Sequence, residues 1–100
     1  MPYIKPEDRK KFEEVIKELM RLISEEKEED QDGCINYCFT RILDGIYPLR
    51  YRHVNRAVGV IECIKQEYYR RIAGPYEDEK IKENGDAYPN LTKKGKKNKY

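Results

Sequence analysis

Apolar residues recur early in the chain at Phe12, Val15, Ile16, Leu19, Met20, Leu22 and Ile23, with charged residues between them. That spacing has a period near 3.6, the signature of one buried face on an amphipathic α-helix. Pro6 suits a first helical turn, where its missing N–H leaves nothing unpaired, and Glu7 and Asp8 suit the positive end of the helix dipole. A first helix is predicted over about 6–27. Residues 28–33 are polar and close on Asp32-Gly33, a turn signature, so they read as a loop. A second helix is predicted over about 34–46, with Ile35, Cys38, Phe39, Ile42, Leu43 and Ile46 on its apolar face and Pro48 as its stop.

A third helix is predicted over about 53–73, with Val54, Ala57, Val58, Ile61, Ile64, Tyr68 and Ile72 on one stripe. Val60 and Cys63 widen that stripe, as expected of a helix packed against two neighbours or lying at a subunit interface. Gly59 costs about 1 kcal/mol relative to alanine inside a helix, which a close helix crossing would offset. Gly74-Pro75 is expected to break the chain. Pro75 then opens a short fourth helix over about 75–84, which Asn84-Gly85 ends. No strand-like alternation of useful length appears. The fold class is all-α: three main helices and a short C-terminal helix in a small bundle spanning 1–88, then a lysine-rich stretch, 89–100, expected to be disordered.

Composition qualifies this picture. The apolar fraction is 38% and the charged fraction 40%, against about 45–50% and about 25% in ordinary domains. A core built from so few apolar residues is thin, so a homo-oligomer is expected, formed through the first and third helices. The net charge is +2, but its distribution is uneven. Removing the five lysines of the closing KKGKKNKY from the 21 basic residues leaves 16 against 19 acidic ones, a net of −3. The helical body is therefore mildly acidic, which weakens a nucleic-acid reading based on overall basicity. No apolar run approaches the roughly 20 residues of a membrane span. An odd count of three cysteines with no secretory leader points to free thiols in a reducing cytoplasm.

Four segments carry a resemblance: the opening MPYIKPEDRKKF, the pair Asn36-Tyr37, VGVIECIKQEYYRR at 58–71 and PYEDEKIKENGDAY at 75–88. Together they resemble a family of small uncharacterised prokaryotic and phage proteins, over most of residues 1–88. The resemblance implies a setting, the cytoplasm of an archaeon or of a phage-infected host, and no activity.

The polar constellation with the clearest chemistry is basic and aromatic. Arg52 and Arg56, with Tyr47, Arg50, Tyr51 and His53, lie across the second connection and the start of the third helix. Tyr69, Arg70 and Arg71, with Tyr68 and Tyr76, lie at that helix's far end and just beyond. Arginine forks bind phosphate bidentately, and tyrosine rings stack on bases or on guanidinium groups. Tyr69, Arg70, Arg71, Tyr76, Arg52 and Arg56 are therefore the candidate ligand-binding residues. The alternative is a solvated helix face with the arginines paired to Glu62 or Glu67.

Other chemistry fits less well. Cys34 and Cys38 share a helical face, with Cys63 as a third candidate, but a zinc site takes four ligands and His53 is the single histidine. The cysteines read more simply as small apolar residues. Glu62 and Glu67 are five positions apart, a poor spacing for a magnesium-binding helical pair. The sequence contains no phosphate-binding glycine loop, no GxSxG and no HExxH. No catalytic residue, metal or cofactor is therefore assigned. The expected function is non-enzymatic binding, with an anionic nucleotide as ligand. The alternatives are an interaction module or inhibitor acting on a host protein, and a nucleic-acid binder using its basic tail. No membrane association is expected.

Overall fold

A computed structural model of the chain describes residues 4–88 and 90, and every regular element in it is helical. α1 spans Pro6–Ser24, α2 Glu28–Ile46, α3 Tyr51–Tyr68 and α4 Gly74–Asn84, with a π-helical segment, Tyr69–Ala73, joining α3 to α4. The all-α class read from the apolar periodicity is observed. The expected tail, 89–100, lies outside the described residues except for Asn90.

The structure differs from the sequence reading in two places, the α1–α2 connection and Gly74-Pro75. α2 begins at Glu28, six residues before the expected start at Cys34, so the polar stretch read as a loop is its first turns. Glu28, Glu29 and Asp30 occupy the first turn, where the helix dipole favours negative charge. Gly33 is helical, and the Asp32-Gly33 pair makes no turn. α1 ends at Ser24, before the expected end near 27, so the connection is 25–27 and not 28–33. It is closed by Glu26 N–H donating to the Ile23 carbonyl (3.0 Å) and by the Gln31 amide donating to the Glu26 carbonyl (3.1 Å).

The second difference is at Gly74-Pro75, where the helix does not break. Pro75 has no N–H, and its ring would collide with the carbonyl four residues back in a regular helix. Here the preceding turn widens: Gly74 N–H donates to the carbonyl of Tyr69, five residues back. The wider turn makes room for the ring, so α3, the π segment and α4 run on without a gap. Gly74 is also the tight point of that turn, since a Cβ there would come within 3.3 Å of the Tyr69 carbonyl oxygen.

The chain divides into two compact units, Met1–Ile61 and Glu62–Tyr100. In the first, α1 and α2 meet close to their connection, where Leu19 and Ile23 on α1 and Gln31, Cys34 and Cys38 on α2 are half-buried; Leu43 is half-buried farther along α2. N-terminal to Leu19, every described side chain of α1 is exposed. In the second, α4 continues the π segment as one uninterrupted helix. Neither unit buries a described residue. The expected thin core is replaced by apolar faces that remain open, with Phe12, Ile16, Phe39 and Ile61 all between 45% and 49% exposed.

Candidate functional site

The six candidate residues fall in two places with different surroundings. Arg52 and Arg56 belong to the first unit, at the N-terminal end of α3. Arg50 starts this helix, its carbonyl accepting from the N–H groups of His53 and Val54 (both 2.9 Å). No acidic residue stands in the first turn of α3. Arg50, Arg52 and Arg56 are instead gathered at the positive end of a helix dipole, the reverse of the favourable arrangement.

What the arginines touch is unusual. An Arg56 Nη1 lies 2.8 Å from His53 Nδ1, and an Arg52 Nη2 lies 3.1 Å from His53 Nε2. A guanidinium has donors only, and a neutral imidazole has one acceptor nitrogen, the other carrying its proton. One of the two contacts therefore sets donor against donor, whichever tautomer His53 adopts. Arg56 also stands 5.2 Å over the ring of half-buried Tyr47, a cation–π contact. Neither Arg52 nor Arg56 has a carboxylate partner among the described residues. The N–H groups of Tyr51 and Arg52 in the first turn likewise have no acceptor there. The site is a convergence of donors around one half-buried ring.

The second unit holds Tyr69, Arg70, Arg71 and Tyr76, and there the cations are compensated. Arg70 Nη2 pairs with Glu67 at 2.9 Å and Arg71 Nη1 reaches the same carboxylate at 3.6 Å. These are the i,i+3 and i,i+4 neighbours of one half-buried glutamate. The Tyr69 hydroxyl donates to Glu77 (2.9 Å), and this bond with the nearby negative charge raises the Tyr69 pKa above the ordinary tyrosine value. Lys80 lies 5.5 Å over the Tyr76 ring. Tyr69, Glu77, Lys80 and Tyr88 line an open cleft of about 420 Å³, formed where the chain turns back after Gly85. Gly85 makes that turn with φ at +87°, a region that favours glycine. Tyr69 faces this cleft; Arg70 and Arg71 are not part of its lining.

The sequence reading named the arginines and the pairing role of Glu67. It missed the chelation of His53 by two arginines and the Tyr69–Glu77 bond. The first had a signal in Arg52-His53 with Arg56 one helical turn on; the second joins residues eight apart across the π segment and had none. Cys34, Cys38 and Cys63 are free thiols, each half-buried. Among the described residues, no group of three or more His, Cys, Asp or Glu side chains is placed to hold a metal ion. No helix among them is long and apolar enough to cross a membrane.

A family model described as a domain of unknown function (DUF6899) matches residues 1–87. The chain belongs to this family. The match takes in all four helices and the π segment and stops before the lysine-rich end, so the family is defined on the helical body. No curated protein and no solved structure matches the chain.

Proposed function

We propose that the protein is a non-enzymatic binder of anionic nucleotides, with the phosphate held at the N-terminal end of α3. The observation that supports this is the donor-rich cluster of Arg52, His53 and Arg56, uncompensated by any described carboxylate. A phosphate oxygen set between the two guanidinium groups accepts from both and relieves the donor–donor contact at His53. The open N–H groups of the first turn and the helix dipole act on the same charge. Tyr47, and Tyr51 at 81% exposure, supply ring faces beside it on which a base can stack. Binding needs only these groups.

In the phage setting that the family resemblance suggests, such a protein sequesters a host signalling nucleotide, linear or cyclic, by affinity alone. Titration calorimetry of the full chain against a panel of linear and cyclic nucleotides tests the reading. Saturable heat is expected, weakening as salt rises, because charge supplies much of the attraction. No heat for any member at millimolar concentration would overturn it. A second reading, a module that docks on a host protein, is favoured by the open apolar faces. That reading fails if another copy of the chain covers them.

A further inference from the structure

We infer that the apolar ridge of α1 docks into the α2–α3 groove of a second copy of this chain, so that two copies exchange their first helices. This inference concerns assembly and is independent of any nucleotide. The groove is a cleft of about 380 Å³ in the first unit, floored by Ile35, Phe39 and Leu43 of α2 and Ile61 of α3. The ridge is Phe12, Val15, Ile16 and Met20, exposed by 47%, 64%, 49% and 57%. Within one copy the two do not meet: α1 has half-buried side chains only from Leu19 onward, close to its connection with α2.

Three observations identify the occupant as a second copy. Thirteen large aliphatic and phenylalanine side chains on α1, α2 and the first-unit part of α3 are 43–69% exposed. At about 80–100 Å² for half of such a side chain, they offer on the order of 1,000 Å², above the roughly 800 Å² per partner of a stable interface. Both halves of the contact are present in one chain, an amphipathic helix and a groove lined by matching residue types. A two-fold exchange therefore satisfies both at once and leaves no open end. The flanking charges also match. Asp32, in the groove lining, has no cation partner among the described residues. Lys11, beside Phe12 of the ridge, has no carboxylate partner there.

Sedimentation equilibrium of the full chain without ligand, at tens of micromolar, tests the inference. Wild type is expected at twice its 12.0 kDa mass. Phe12→Lys in the ridge and Phe39→Glu in the groove are each expected to sediment as monomers. Mixed one to one, they are expected to recover the dimer mass, because an intact ridge meets an intact groove and the lysine meets the glutamate. A wild-type monomer, variants that keep the dimer mass, or a mixture that stays monomeric would each overturn it. Should the variants fail to fold, a benzophenone side chain at position 12 preserves apolar character and supplies a second readout. Irradiation of mixed light- and heavy-isotope chains is then expected to join position 12 of one isotope to peptides within 35–61 of the other. Cross-links confined to single-isotope pairs would overturn the inference. Nucleotide titration of the Phe39→Glu monomer separates the two proposals, since loss of assembly with retained binding contradicts only this one.

Discussion

The two arginine-bearing regions contain nearly the same residue types and are in opposite electrostatic states. At the start of α3, Arg52 and Arg56 crowd one imidazole and have no described acid nearby. At the π segment, Arg70 and Arg71 share the Glu67 carboxylate, and the tyrosines find Glu77 and Lys80. The difference comes from register: Glu67 stands three and four positions before its arginines, whereas no acid stands at those distances before Arg52 or Arg56. A basic, aromatic composition does not itself make a binding site. The absence of a partner at helical spacing separates the two regions.

The most forceful way to break the comparison is to remove the charges on each side. Arg52→Ala with Arg56→Ala is expected to weaken nucleotide binding about 100-fold or more, since a hydrogen bond to a charged group contributes about 1.5–3 kcal/mol. Arg70→Ala with Arg71→Ala is expected to change it less than about threefold. Calorimetry reads both, and equal losses would end the distinction.

A backbone version of the comparison is worth about 1 kcal/mol. A Cβ at Gly59 meets nothing within 4 Å. Gly59→Ala is therefore expected to raise stability by about the helix-propensity difference, measured by urea denaturation. Gly74→Ala is expected to gain less, because its Cβ crowds the Tyr69 carbonyl. A loss at Gly59 would place a neighbouring helix over it in the assembled protein.

A smaller effect is spectroscopic. The Glu77 hydrogen bond and charge raise the Tyr69 pKa, so the fold favours the protonated phenol. Its contribution is whole below the unfolded value near 10 and is lost as pH rises through the higher folded value. Ultraviolet titration is expected to show one tyrosine ionising after the others, and Glu77→Gln to bring it back among them. The smallest effect is expected at α1, where Arg21 pairs with Glu18 and Glu25 on an exposed face. Arg21→Ala should leave the melting temperature nearly unchanged, as exposed pairs usually do.

Much of the architecture could be read from the chain because it depends on local period. Phe12 to Ile23 and Val54 to Ile72 announce their helices without tertiary help. The start of α2 was misread because Asp32-Gly33 has the composition of a turn, while the dipole's preference for Glu28–Asp30 decides the local outcome. Gly74-Pro75 was misread because a proline penalty can be relieved by widening one turn, which leaves no compositional trace. The candidate site was legible as residue types. Its electrostatic state was not, since that depends on which rotamers converge on His53.

The wide turn at Tyr69–Ala73 has a consequence for the phase of every residue after it. A π turn holds one residue more than the α turn it replaces. An α-helix rotates about 100° per residue, and the wider turn rotates less per residue, so its extra position is absorbed and the residues beyond it keep nearly the azimuth of an α-helix one residue shorter. Tyr69 and Glu77, eight positions apart, thereby share one face of the helix, a placement that an uninterrupted α-helix gives to residues about seven apart. Deleting one residue inside 70–73 would thus restore an ordinary winding with Tyr69 and Glu77 still on one side, but it would set the Pro75 ring against the carbonyl four residues before it. The inserted position accommodates the proline and leaves the aim of α4 nearly unchanged.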